Sequence, residues 1–338
     1  MEIRIANYSE KNKILDFIDK NWQRNHIFVR WPELFDDYHK NGDMLNYIVA
    51  VEQGKIYGVC GFIYANNRSE PDIWLALWKV IPSGIPSLGM DIVNTLKKTL
   101  NCNVLSCCGI RKEVKRLYEF LGFKTGTLKH FYRLNKKCKC RIAVVSNTEM
   151  PDYIVSNDIE LVLIRSENDF KNIIKYERAI FKVTAPWKDR NYVIKKYFYN
   201  LVYTYQLFAV KTSRGTIDAI FVTKIVEANN SKAMRIVDFL GDERVLRLCG
   251  KSLERLMEDN ECEYIDFYEY GLSDDFLRDM GMKELNETDM NIIPNHFEPF
   301  EQSNIDIHFF TSQMDNFRMF KADGDQERPN RICRGKYE

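Results

Sequence analysis

Apolar residues recur along this chain at two periods: they alternate where a half-buried strand is expected and come every three or four residues where a helix face is expected. Each change of period marks an element boundary. The pattern predicts a strand over residues 3–6, a helix over 11–21, an irregular aromatic stretch, and strands over 45–52 and 55–64 hinged on Gln53-Gly54. A strand over 72–81 leads through the loop PSGIPSLG into a helix reaching about residue 100. A strand over 104–110, a helix over 112–121 and a final hairpin near 129–134 complete the series.

After the basic, unpatterned link NKKCKCR the cycle restarts. A strand over 159–165 and a helix over 167–180 precede a second aromatic stretch at 187–205, followed by strands over 206–212 and 217–226. A strand over 234–240 then feeds a helix over 243–259, and a strand over 264–269 feeds a helix over 273–280. Two such series imply two mixed sheets with helices on both faces. The expected organisation is a domain over 1–135, a linker over 136–141, and a second domain over 142–338 that ends in a capping segment.

A length of 338 residues fits two hydrophobic cores better than one. Lysine plus arginine (49) nearly balances aspartate plus glutamate (48), which argues against nucleic acid or an anionic membrane surface as partner. A small-molecule ligand fits better. The opening MEIRIANYSEKNK is polar and nowhere do eighteen apolar residues run together, so a cytoplasmic chain without membrane insertion is expected. The nine cysteines are scattered and read as reduced thiols; Cys138 and Cys140 have neither the spacing nor the companions of a zinc site.

The order of elements, with "LALWKVIPSGIPSLGMDIVNTL" and "KRLYEFLGF", resembles the GCN5-related N-acetyltransferase (GNAT) superfamily. The resemblance implies a mixed α/β fold of two GNAT-like domains, each a mostly antiparallel twisted sheet, and acetyl-CoA or another acyl-CoA as co-substrate. It implies that Val80 and the loop residues Ser83, Gly84, Ser87, Leu88 and Gly89 hold the cofactor. A helix N-terminus offers unpaired amides and partial positive charge, and small residues let a diphosphate come close. The loop departs from the family pattern, since Gly84, Ile85, Pro86, Ser87, Leu88 and Gly89 lack its basic or amide side chain and its first glycine.

Tyr118 stands where the superfamily commonly places the phenol that protonates the departing CoA thiolate. Acyl transfer to an amine needs one proton lost by the ammonium and one gained by the thiolate, and a phenol is protonated at neutral pH. Leu117, Tyr118 and Leu121 also have the spacing of one apolar face, so packing is the alternative. The second domain has Asp242 and Glu243 where a pyrophosphate would sit, and reads as a degenerate copy shaping the acceptor side.

Three polar and aromatic segments supply acceptor candidates: His26, Arg30, Asp36 and His39 after the first helix; Asp266, Tyr268 and Tyr270 on a late strand; and Asn295, His296 and Glu298 near the C-terminus. Asp323, Asp325 and Glu327 alternate around Gly324 without the further ligands of a calcium loop, and no metal is expected. The phrases "NHIFVR", "RIVDFLG" and "FKADGDQERPN" resemble tandem proteins encoded with bacterial surface-polysaccharide pathways, which implies an amino-sugar acceptor, nucleotide-linked in one version. The competing readings are a FemABX-like aminoacyl transferase, which would need a basic channel for tRNA, and a noncatalytic sensor of the same fold.

Overall fold

The computed structural model describes residues 1–176, 184–330 and 332. Strand β1 (Glu2–Asn7) is followed by α1 (Lys11–Asn21), whose Ile14, Leu15, Phe17 and Ile18 are buried on one face. The aromatic stretch is not irregular throughout. It holds two short helices, α2 (Ile27–Arg30) and α3 (Pro32–His39), the second opened by a proline that pre-sets the first helical φ. A two-residue strand β2 (Lys40–Asn41), then β3 (Met44–Glu52), β4 (Lys55–Tyr64) and β5 (Ile73–Val80) make an antiparallel run with β1. Helix α4 (Leu88–Thr99) buries Leu88, Ile92, Val93 and Leu96 against that sheet and carries the chain over to β6 (Leu105–Ile110), which is parallel to β5.

Beyond α5 (Lys115–Phe120) the structure departs from the expected hairpin. Strands β7 (Lys124–Thr127) and β8 (Lys129–Leu134) do not pair with each other. The chain instead sends β8 into the other sheet. The second series runs β9 (Ile159–Ile164), α6 (Glu167–Tyr176), α7 (Arg190–Val193), β10 (Gln206–Thr212), β11 (Ile217–Ala228) and β12 (Ser231–Gly241). Residues 177–180 of the helix expected over 167–180 lie outside the described residues. Helix α8 (Gly250–Asp259), strand β13 (Cys262–Tyr270), α9 (Asp274–Asp279) and short strands β14 (Lys283–Glu284), β15 (His296–Phe297) and β16 (Phe300–Glu301) follow. The chain closes with β17 (His308–Thr311) and β18 (Met319–Phe320).

The sheet orders are β1-β3-β4-β5-β6-β17-β7 and β14-β8-β13-β12-β11-β10-β9. The two halves therefore exchange strands. Strand β8 crosses to lie between β13 and β14, while β17 returns from the C-terminal region to lie between β6 and β7. A boundary at residue 135 thus does not separate two self-contained sheets. The exchange is well anchored: Phe309 and Phe310 of β17 and Phe131 and Tyr132 of β8 are fully buried. Complete burial of one such ring is worth roughly 1.5–3 kcal/mol.

Between the sheets lies a shared core. Trp74, Cys108 and Phe309 from the first sheet belong to the same buried cluster as Ile220, Tyr268 and Phe317. On its opposite face the first sheet packs Cys60, Leu75, Ile92, Leu105 and Phe310 together beneath α4. No helix of the described residues is long and apolar enough to cross a membrane.

Candidate functional site

The parallel strands β5 and β6 pair only at Ile73 with Leu105 and Trp74 with Ser106, although β5 continues to Val80 and β6 to Ile110. They diverge into a wedge that opens at their C-terminal ends, where ligands of parallel sheets characteristically bind. Helix α4 starts beside that mouth. In the loop before it, Ser83 Oγ accepts from the Ile85 amide (3.2 Å) and Ser87 Oγ donates to the Asp91 carboxylate (2.8 Å). Gly84 is exposed at φ +76°, a backbone state that favours glycine.

The first-turn amides of a helix have no intrahelical acceptor, and with Ser83, Gly84, Ser87 and Gly89 they suit a diphosphate. Leu88 faces the core and its amide donates to the Ile85 carbonyl (3.3 Å), and Val80 is half-buried at the end of β5. Asp91, in the same first turn, works against an anion there.

Two aromatic residues stand on either side of the wedge. Trp78 of β5 and Tyr118 of α5 have ring centroids 6.0 Å apart, and a Cβ on Gly89 would sit 3.4 Å from Trp78 Cζ2. The indole thus lies against the start of α4 at ordinary van der Waals distance. Tyr118 also stacks on Phe310 (4.3 Å) and meets Phe123 edge-on (6.3 Å). Burial, reinforced by the nearby Cys107 and Cys60 thiols, pushes the phenol well above its usual range, so Tyr118 stays protonated at neutral pH.

The second sheet has a comparable parallel pair, but its wedge is filled. Strands β12 and β13 pair from Lys232 to Ile236, and then β18 enters, joining Tyr270 to Met319 and Glu269 to Phe320. The Ala322 amide donates to the Val237 carbonyl (3.0 Å), and Phe320 stacks on Phe267 (5.6 Å). The chain's own C-terminal segment thus pairs with the C-terminal parts of both strands, while in the first sheet no strand enters between β5 and β6 and the same segment lies against β6 through Gln326 at Gly109. Asp242 is paired with Arg244, and Glu243 with Arg318 (3.0 Å), so both are engaged locally.

Most of the expected acceptor residues turn out to be scaffold. His26 caps α2 by accepting from the Phe28 amide (3.3 Å), and His39 packs among Phe28, Phe35 and Tyr47. Burial lowers both imidazoles to about 3 and leaves neither able to face a substrate. Arg30 donates to the Asn330 carbonyl (2.7 Å), and Asp36 accepts from Lys11 (2.7 Å) and Tyr8 (3.2 Å). Asp266 is buried between Arg235 (2.6 Å) and His130 (3.1 Å); although burial opposes ionisation, these partners hold it at about 2. Tyr268 stacks on His130 (3.8 Å) and donates to the Ile305 carbonyl, and Tyr270 packs on Phe309 and Phe317.

His296 and Glu298 line a separate recess of about 260 Å³ together with Asn295 and Lys224. There His296 Nδ1 donates to the Pro299 carbonyl (2.6 Å), and Glu298 accepts from Tyr203 (2.8 Å) and the Asn330 amide (3.0 Å). The three acidic residues around Gly324 are each paired: Asp323 with Lys188 (3.0 Å), Asp325 with Arg328, and Glu327 with Lys224 and Lys321. Among the described residues no three histidine, cysteine, aspartate or glutamate side chains group as a metal site.

Another cavity, a cleft of about 450 Å³, is lined from both halves of the chain. The first half contributes Asp37, Lys40, Asn46, Tyr64, Asn66 and Arg68; the second contributes Asp189, Asn191, Lys195 and Lys196. Gly324 completes the wall, 3.4 Å from Trp74 Cβ as measured from an added Cβ, and Trp74 marks the base of the wedge. These residues come from β2, β3, β4 and α3, from loops, and from helical turns of the second half, so no single stretch of sequence announces them and only folding gathers them.

No protein-family model matches the chain, and no curated protein sequence does. Solved structures do. The chain is similar to a GCN5-related N-acetyltransferase from Anabaena variabilis ATCC 29413 over 92% of its own length and 72% of the other chain, with a TM-score of 0.55 and 8% identity. It is also similar to a probable N-acyltransferase from Enterococcus faecalis V583, with coverages of 92% and 72%, a TM-score of 0.52 and 8% identity. At that identity the likeness is one of backbone: the chain has the mixed α/β fold of two GNAT-like domains.

Proposed function

We propose that this chain is an acyl-CoA-dependent N-acyltransferase whose thioester lies in the β5/β6 wedge and whose amine acceptor enters through the inter-sheet cleft. The observation that carries the reading is the contrast between the two wedges. In the first, β5 and β6 pair at only two positions beside a helix N-terminus and no strand enters between them, with Gln326 lying against Gly109 of β6, whereas in the second the segment Met319–Ala322 pairs with the C-terminal parts of both strands. That contrast supports a cofactor site in one half and a supporting wall in the other.

In this reading the neutral amine attacks the thioester carbonyl, the C–N bond forms, the C–S bond breaks, the nitrogen releases a proton to solvent, and the sulfur takes one. Tyr118 is the donor, kept protonated by burial and set at the wedge beside Trp78. The loop from Ser83 to Gly89 holds the diphosphate with main-chain amides. The acceptor is a small amine, and a nucleotide-linked amino sugar of surface-polysaccharide synthesis is the version the sequence suggested.

Acetyl-CoA binding to the full chain, followed by calorimetry, tests the reading. Ser87→Glu adds charge and bulk at an exposed position and is expected to abolish binding while circular dichroism stays native. Undiminished affinity in that variant would remove the wedge as the cofactor site. A noncatalytic module of the same fold is a second reading, favoured by Asp91 in the first turn of α4, and predicts weak acetyl-CoA binding and no turnover for any amine.

A further inference from the structure

The cationic residues of the inter-sheet cleft share an unusual condition. Lys40, Arg68, Lys195 and Lys196 all line it, and among the described residues none of the four forms an ion pair with a carboxylate. Each is held by a neutral group instead. The Lys195 ammonium donates to the Asp37 carbonyl (2.6 Å) and the Lys196 ammonium to the Gly324 carbonyl (2.7 Å). The Arg68 guanidinium lies 3.8 Å from the centroid of the Trp187 ring, and Lys40 lies 4.4 Å from that of Tyr8.

Cations elsewhere in this chain are treated differently, as Lys188, Lys224 and Lys321 show by pairing with Asp238, Asp323 and Glu327. The cleft carries two lining carboxylates, Asp37 and Asp189, against its four cations. Asp189 is committed to the scaffold, its two oxygens accepting from the Tyr192 amide (2.8 Å) and the Asn67 amide (3.0 Å). Asp37 is not: no described residue donates to its carboxylate, and burial shifts its ionisation upward against the pull of Lys195.

A concave site with fixed positive charge, polar amides from Asn46 and Asn191, and one uncommitted carboxylate matches a ligand carrying both an anion and an amine. We infer that the cleft takes a phosphorylated amine, its phosphate or diphosphate seated on Lys195, Lys196 and Arg68 and its ammonium facing Asp37. The excess of two positive charges fits a group carrying about two negative ones. This deepens the acyltransfer reading by naming the acceptor's class, and it rests on that reading only for the fate of the amine. The anion subsite stands on the cleft alone.

The probe is inorganic pyrophosphate, titrated calorimetrically into the full chain at low and at moderate salt. Binding is expected to weaken at least tenfold in Lys195→Met/Lys196→Met and to persist in Ser87→Glu, which places it in the cleft and not at the α4 N-terminus. Arg68→Gln, at an exposed position, gives a second variant that leaves the fold intact and should weaken binding several-fold. Absence of pyrophosphate binding, loss of it in Ser87→Glu alone, or full affinity in the lysine and arginine variants would each overturn the proposal. Acetyl-CoA affinity, measured on the lysine and arginine variants, is expected to be unchanged, and its loss in Ser87→Glu alone is the separate test of the wedge reading.

Discussion

The ring of Tyr118, on the last helix of the first half, stacks on the ring of Phe310, on a strand supplied from the C-terminal region; the centroids are 4.3 Å apart and the planes 29° apart. The proposed proton donor is therefore positioned by the exchanged strand. The stacking that buries the ring also keeps the phenol protonated.

Replacing only the hydroxyl separates the two contributions. Tyr118→Phe keeps the stack on Phe310 and the contact with Trp78, so stability and acetyl-CoA affinity should change little. Turnover with a true acceptor should fall by roughly ten- to ten-thousand-fold if the phenol is the general acid. Because burial raises its ionisation, the parent rate should also show no alkaline decline near pH 10, where an exposed phenol would titrate. Parent-level turnover in the variant would return Tyr118 to a packing role.

The strand exchange makes a strong statement about dissection. A fragment ending at residue 135 lacks β17, which lies between β6 and β7, and strands β8 without its neighbours β13 and β14. Such a fragment should fail to give a cooperative thermal transition, whereas a compact, acetyl-CoA-binding fragment would contradict the exchange. In the full chain, Phe310→Ala removes a fully buried ring and should cost about 3–5 kcal/mol in denaturant unfolding.

Glu269 supplies a pH signature of the filled second wedge. It sits on β13 opposite Phe320, its Oε2 accepting from the Leu272 amide (3.0 Å) and its Oε1 without a partner among the described residues. Burial raises the carboxyl to about 8 from an ordinary 4.5. The folded state then binds more protons than the unfolded state between those values, so stability falls as pH rises from about 4.5 to 8. Over the full window the loss attributable to this group is on the order of a few kcal/mol, at about 1.36 kcal/mol per unit. Glu269→Gln should flatten that slope and be more stable than the parent at pH 8; an unchanged slope would contradict the assignment.

Periodicity along the chain was enough to locate most elements. The helix over 11–21 and the strands over 55–64 and 206–212 coincide with α1, β4 and β10, because burial of one face imposes its period on neighbouring residues. The reading of two mixed α/β series, and with it the fold class, needed nothing more. Residue type along a segment reports whether a face is buried. It does not report which sheet buries it.

That choice is made between residues far apart in sequence, and it is where the local reading stopped. Phe309 and Phe310 look like any buried pair, yet they close the first sheet; Met319 and Phe320 look like a loop end, yet they fill the second wedge. The same limit governed the candidate site. His26, His39 and Asp266 have the chemistry of a binding surface, and packing turned them into a cap, a core ring and a buried ion pair. Asp37, Lys195 and Lys196 carried no signal alone, since each is an ordinary polar residue on a helical segment. Only the joining of the two halves by exchanged strands places them around one cleft, because a cavity between sheets exists only once both walls are fixed.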